Sequence, residues 1–345
     1  MVRTKIAFLY SEVAGYFLAA AAELSKNADV LIIRWPVNNE APFDFSRFNE
    51  LKIEEKSLYT RQSLAERVHD FEPDIVVCSG WMDKDYLAVV KQLKGEVKKV
   101  LTLDNHWVGS LKQRVAAMMS PFMLKRYFTH VWVTGKPQAK FAKKLGFDNI
   151  LTGFYCADTD LFKGRYDRSI MAKEKNFPKR FLFVARYVEH KGIFELWSAF
   201  LTLLKENPAL DWELWCLGTG DQWDNRVQHE KIKHFGFVQP DQMDEYIAAT
   251  GVYVLTSKFE PWGVSVHEFA VAGFPVVLSN AVGAKEAFLV DNGWSFDASS
   301  TKELKEAMKK VTELNSQELC EMAKRSHKLG MTYTTGDWAN KLLEL

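Results

Sequence analysis

Val252-Tyr253-Val254-Leu255-Thr256-Ser257 is followed by Phe259-Glu260-Pro261-Trp262-Gly263-Val264-Ser265-Val266-His267-Glu268, and then by Phe269-Ala270-Val271-Ala272-Gly273-Phe274-Pro275-Val276-Val277-Leu278-Ser279. The order reads as buried strand, loop, helix, strand, the unit of a parallel sheet covered by helices. In an open sheet of this kind, ligands gather at the carboxyl ends of the strands. Glu260 falls on such a strand-end loop, and Glu268 about one turn into the helix. Between them, the backbone N–H groups of Gly263, Val264 and Ser265 open the helix, where first-turn donors without intrahelical partners attract phosphate. One carboxylate suits sugar hydroxyls, the other a ribose, and the N–H groups a phosphate: the arrangement predicts a nucleotide sugar.

Working outward, the same alternation fills the chain. Strand-like runs at 6–10, 29–35, 74–80, 100–104, 130–134 and 149–155 alternate with helical periodicity at 16–26, 61–71, 85–93 and 137–145. A polar, basic connector is read at 163–179. Strands then follow at 181–185, 212–217, 234–238, 252–257 and 276–279, with helices at 193–205, 242–249 and 301–314. This predicts two doubly wound α/β domains in tandem, facing a cleft between them. The boundaries read as 1–164 for the first domain, rejoined by a terminal helix within 331–345, and 165–330 for the second.

Composition sets the outer bounds. The chain has 345 residues, too many for one ordinary core. With 47% hydrophobic and 26% charged residues it is typical of a globular protein. A net charge of +1 gives no overall pull toward nucleic acid. Cys78, Cys156, Cys216 and Cys320 are scattered, which predicts no disulfide framework, no zinc and a cytoplasmic location. The first apolar run, stopping at Ser11-Glu12, is too short for a signal peptide. No stretch reaches the roughly 20 apolar residues of a membrane span.

Glu260-x7-Glu268 with Pro-Trp-Gly inside and Ala-Gly-x-Pro-Val-Val behind resembles the signature of retaining GT-B glycosyltransferases, most closely glycosyltransferase family 4. Phe183-Val184-Ala185-Arg186-Tyr187-Val188-Glu189-His190-Lys191-Gly192 resembles the family's Phe-Val-Gly-Arg-x5-Lys-Gly segment. Leu217-Gly218-Thr219-Gly220 resembles its Gly-x-Gly turn, and Gly236-Phe237-Val238 the segment whose backbone faces the base. Val282-Gly283-Ala284-Lys285-Glu286 is similar to a Gly-Gly-x-x-Glu loop, with Ala for one Gly. In the first half, Ala14-Gly15 stands where relatives carry two glycines, and His106 matches a histidine that touches the donor sugar. Phe154–Phe162 is a partial match to the inter-domain linker and lacks its Asn-Gly.

The resemblance implies a GT-B fold and transfer of a hexosyl or N-acetylhexosaminyl group, as in polysaccharide biosynthesis, to a glycan or lipid-linked acceptor. It implies Glu260, His106, Arg186 and Lys191 at the reacting sugar and diphosphate. Glu268, Gly263, Val264, Ser265, Gly15, Gly218 and Val238 would line the donor. Arg186 and Lys191 would neutralise the leaving diphosphate, so that no metal and no resident cofactor is required. A nucleotide-sugar 2-epimerase of the same fold and a non-catalytic nucleotide-sugar binding module are the rival readings.

One stretch stands apart. Residues 105–147 contain no acid but carry Lys112, Arg114, Lys125, Arg126, Lys136, Lys140, Lys143 and Lys144, beside Met118, Met119, Phe122, Met123, Tyr127 and Phe128. This suggests peripheral contact with the inner face of a membrane. The competing reading is a solvated basic face over a buried Met/Phe stripe, with Pro121 interrupting any long helix.

Overall fold

The computed structural model describes residues 3–37 and 43–345; Met1 and Val2, which begin the stretch weighed as a leader, lie outside them. The chain divides into two compact units, one of residues 1–156 with 333–345 and one of residues 157–332.

The first unit is built on seven strands: β1 (Thr4–Tyr10), β2 (Ala28–Arg34), β3 (Lys52–Glu55), β4 (Ile75–Ser79), β5 (Lys98–Leu103), β6 (His130–Val133) and β7 (Ile150–Thr152). They lie in the order β3-β2-β1-β4-β5-β6-β7, with every pair parallel. Parallel pairing requires a crossover after each strand, so both sheet faces are covered and the strands read as unbroken apolar runs. β1 demonstrates it: Ile6, Phe8 and Tyr10 join one buried cluster, Ala7 and Leu9 the other. Side chains that alternate direction are thus apolar both ways. The helix Thr335–Leu343, capped by Thr334 and Asp337, packs Trp338 into the first cluster, and the Trp338 indole N–H donates to the Phe154 carbonyl at 2.8 Å.

The second unit carries β8 (Arg180–Val184), β9 (Glu213–Leu217), β10 (Ile232–His234), β11 (Val252–Leu255), β12 (Val276–Ser279) and β13 (Gly293–Phe296), in the order β10-β9-β8-β11-β12-β13 and again all parallel. In each sheet the strand order reverses beside the first strand, between β1 and β4 and between β8 and β11. Those are the topological switch points where crevices form.

The stretch read as a basic connector is a helix, Thr159–Lys175, capped by Asp158. Its buried face includes Phe162, Arg165, Ser169 and Lys173. Polar and cationic residues at helical spacing on an inward face hide the amphipathic pattern. The helix belongs to the second unit, whose boundary falls after Cys156. Two further helices, Leu111–Met123 and Ser316–Gly330, also go unread in the sequence. Pro121 does not split the former; it lies in the last turn, two residues before the helix ends.

Candidate functional site

The site of the second unit is held together by backbone. After β8 the chain runs through Ala185 to Tyr187, whose N–H donates to Thr219 O at 2.8 Å. Tyr187 is buried among Trp197 and Trp223, with ring centroids 5.8 and 5.3 Å away, and fixes the position of Arg186, which is exposed. A short turn, Glu189–Lys191, then ends at Gly192 with φ 68°. A Cβ there would lie 2.2 Å from the Thr256 carbonyl oxygen, so no other residue fits. The Thr256 hydroxyl bonds the carbonyls of Lys191 (2.9 Å) and Gly192 (3.0 Å), and the Lys258 N–H donates to His190 O (2.8 Å). The turn carrying Lys191 is thereby fastened to the end of β11.

Glu260 leaves the same strand end. Its backbone forms a parallel bridge with Val282, and Gly283 N–H donates to Glu260 O at 3.0 Å. A Cβ on Gly283 would sit 2.0 Å from Pro261 O, so glycine permits this ladder. The Lys191 ammonium then meets Glu260 Oε2 at 2.5 Å, with the two side chains only 16% and 14% exposed. Ser257 Oγ donates to the same oxygen at 3.3 Å. The sequence places Lys191 on a diphosphate and Glu260 on a sugar as separate groups; the structure makes them one ion pair.

His190 registers the charges around it. Burial, then Lys191 and Arg186, hold its imidazole below the ordinary range, opposed by Glu260 and Asp221. Two cations and two carboxylates therefore act on one spot, and their formal charges cancel.

Gly263, with φ 90°, starts the helix Val264–Val271, which has no side-chain cap and no acid in its first turn. The Ser265 hydroxyl accepts from the buried Tyr253 phenol at 2.7 Å. Burial pushes the Tyr253 phenol up, its bond to Ser265 opposes this, and Glu260 and Glu268 both add to the shift. Glu268 itself is half-buried, and its carboxyl is pushed up to about 7 by burial, an effect opposed by Arg165 and reinforced by Asp158. Sequence reading missed Arg165. It is 1% exposed, donates from Nε to Asp244 at 2.7 Å, and has no partner for Nη1 among the described residues. The only sequence signal was its place at helical spacing between Phe162 and Ser169.

Gly218 N–H donates to Gly236 O at 2.6 Å, which pins the turn after β9 to the segment after β10. Val238 lies in a loop rather than in the strand expected at 234–238. β10 ends at His234, and Gly236 turns into the left-handed region with φ 74°.

Gly15 and His106 belong to the first unit. Gly15 opens the helix Gly15–Ser25 after β1; a Cβ on it would meet nothing within 4 Å, so internal packing does not demand glycine. His106 follows β5, and its carbonyl accepts from Gln113 Nε2 at 2.7 Å. Near the β1–β4 switch point is a cavity of about 410 Å³ lined by Tyr10, Glu12, Tyr16, Trp35, Asp104 and Tyr155, among others. Its polar wall is ordered: the Tyr155 phenol donates to Asp104 Oδ2 at 3.1 Å, and Ser11 and Ser79 hydroxyls bond at 2.8 Å. Sequence reading had placed Tyr155 in a linker and found no role for Asp104. Among the described residues no cluster of three or more His, Cys, Asp or Glu side chains could hold a metal ion.

Residues 167–329 match the family described as Glycosyl transferases group 1. An uncharacterized glycosyltransferase of Methanocaldococcus jannaschii is 33% identical over 132 residues, 36% of this chain and 32% of that protein. The match to such curated relatives thus spans about a third of their length. Over the whole chain the likeness is structural. Sucrose-phosphate synthase from Thermosynechococcus elongatus superposes with TM-score 0.74 at 14% identity, covering 99% of this chain and 98% of the other. Anabaena HepE, solved with UDP and glucose, gives 0.74 at 15% identity and 99% coverage of both. With two parallel sheets of this topology and these neighbours, the chain has the GT-B architecture, and its residues 167–329 match the glycosyl transferases group 1 family.

Proposed function

We propose that this protein is a retaining glycosyltransferase of family 4 that moves a hexosyl or N-acetylhexosaminyl group from a nucleotide-diphosphate sugar to a glycan or lipid-linked acceptor, without a metal. The observation that carries this is the Lys191–Glu260 pair, set at the β8–β11 switch point next to an uncapped helix N-terminus. Arg186 and Lys191 face the diphosphate, and the N–H groups opening the helix at Val264 and Ser265 donate to its oxygens. Glu268 takes the ribose hydroxyls and Glu260 the sugar hydroxyls. Gly218 and Val238 approach the nucleoside through backbone. Gly15 and His106 serve the sugar from the first unit.

In the reaction, the bond from the anomeric carbon to the diphosphate oxygen breaks as the acceptor oxygen bonds the same face of that carbon. The acceptor's proton passes to a leaving phosphate oxygen. Charge grows on the diphosphate, and fixed cations already in place stabilise it without reorganising. Because Lys191 is already paired with Glu260, an arriving diphosphate shares or displaces that contact. Donor binding and the sugar-holding carboxylate are thereby coupled.

A cytoplasmic setting agrees with the four cysteines, which are buried and form no disulfide. Among the described residues no helix is long and apolar enough to cross a membrane. The test is a thermal-shift panel of UDP-, GDP- and ADP-sugars followed by transfer assays. A saturating donor at 100 times its Kd stabilises by about 2.7 kcal/mol. Binding with neither hydrolysis nor transfer would point to a binding module, and conversion of the donor into a new sugar nucleotide would point to an epimerase.

A further inference from the structure

The helix Leu111–Met123 of the first unit is turned inside out. Its inward residues are small: Ala116 and Ala117 pack against the core, and buried Ser120 donates its hydroxyl proton to Leu145 O at 2.7 Å. Its large apolar residues point outward. Leu111, Val115, Met118 and Phe122 are 77%, 47%, 68% and 72% exposed, and their spacing of four, three and four places them on one stripe. Met119 and Met123 widen it, at 38% and 54% exposed. Of the Met/Phe stripe weighed from sequence as buried, Phe128 is buried, whereas Met118, Met119, Phe122 and Met123 are exposed. A surface helix ordinarily buries such residues, and an exposed apolar patch of this kind marks an interaction site.

The surroundings choose the partner. Lys112 and Arg114 flank the stripe on its two sides, and the exposed Lys125 and Arg126 follow its end. The next helix, Lys136–Lys144, adds exposed Lys140, Lys143 and Lys144. No acidic side chain interrupts residues 105–147. A cationic rim around aliphatic, methionine and aromatic side chains is complementary to a flat anionic surface with an apolar interior. We propose that this face docks on anionic lipid, with the Met118–Phe122 stripe entering the headgroup boundary and the basic residues held at the phosphates. The docking needs no nucleotide, and it stands or falls apart from the transfer reaction.

Co-sedimentation of the full chain with phosphatidylglycerol vesicles and with phosphatidylcholine vesicles, at low and high salt, is the test. Binding is expected to phosphatidylglycerol at low salt and to weaken at least about tenfold at high salt or on phosphatidylcholine. Met118→Ser with Phe122→Ser should cut binding about tenfold or more, and so should Lys125→Glu with Arg126→Glu. All four side chains are exposed, so melting temperatures should stay unchanged and report intact folding. Failure of the unaltered protein to bind, or unchanged binding in the serine variant, overturns the proposal. So does a dimer in analytical ultracentrifugation that the serine variant splits without any vesicle binding, since the stripe would then serve a second copy of the chain.

Discussion

Lys191→Met breaks the Lys191–Glu260 pair and, among the described residues, leaves the Glu260 carboxylate with the long contact from Ser257 at 3.3 Å. The cost follows from burial. Exposed pairs contribute up to about 1 kcal/mol, and breaking a fully buried one costs about 3–5 kcal/mol. At 16% and 14% exposure the pair lies nearer the buried limit, which gives about 2–3 kcal/mol for either Lys191→Met or Glu260→Gln. For a unit of this size that lowers the melting temperature by about 5–10 °C. Lys191→Met with Glu260→Gln removes both charges, so the two losses should not add; about 2 kcal/mol should be recovered. Scanning calorimetry on the four proteins gives the cycle without any substrate. Losses that add to within about 0.5 kcal/mol would show that the pair does not act as a unit and would refute the reasoning. Once a donor is known, each single variant should lose on the order of 100-fold in turnover, and the double variant little more.

Lys173 is a second case of buried charge. Its ammonium lies 3.8 Å from the centroid of the Phe274 ring with no hydrogen-bond partner among the described residues, and burial pushes it down to about 7. A folded value below the unfolded one means that stability rises with pH from about 7 to 10.5. Lys173→Met should therefore raise the melting temperature at pH 7, with an advantage about 2–3 kcal/mol smaller at pH 9; a constant advantage would argue against a titrating lysine. Glu268 behaves oppositely: raised to about 7 from 4.5, it contributes stability at low pH that is lost as pH rises through that window. Glu268→Gln should match the parent near pH 4.5 and exceed it by about 3 kcal/mol at pH 8, while binding UDP more weakly; equal melting curves at both pH values would contradict the burial of its carboxylate. Transfer should survive EDTA, and complete loss with rescue by Mg²⁺ or Mn²⁺ would remove the cations from the role of sole phosphate partners.

The strands were legible because a sheet buried on both faces writes them as continuous apolar runs; Val276–Ser279 falls where its residues predict, and so does the helix Arg61–Phe71, which buries Leu64 and Val68 at helical spacing. The carboxylates were legible because they flank a strand-to-helix turn. The helix Thr159–Lys175 was not, because its inward Arg165 and Lys173 read as surface charges. Leu111–Met123 was obscured for the converse reason, with small residues inward and large apolar ones outward. The direct bond between Lys191 and Glu260 was also beyond reach. It depends on the Thr256 hydroxyl, which bonds the Lys191 and Gly192 carbonyls, and on the backbone bond from Gly283 to Glu260, contacts that join segments apart in sequence.

The central claim is same-face transfer from a nucleotide sugar, and water can stand in for the unknown acceptor. Proton NMR of the slow hydrolysis of an α-linked UDP-sugar reads the anomer released before mutarotation. The account predicts that the α-sugar appears first and that its release falls on the order of 100-fold in Lys191→Ala. Release of the β-sugar first, or an undiminished rate in that variant, would contradict it.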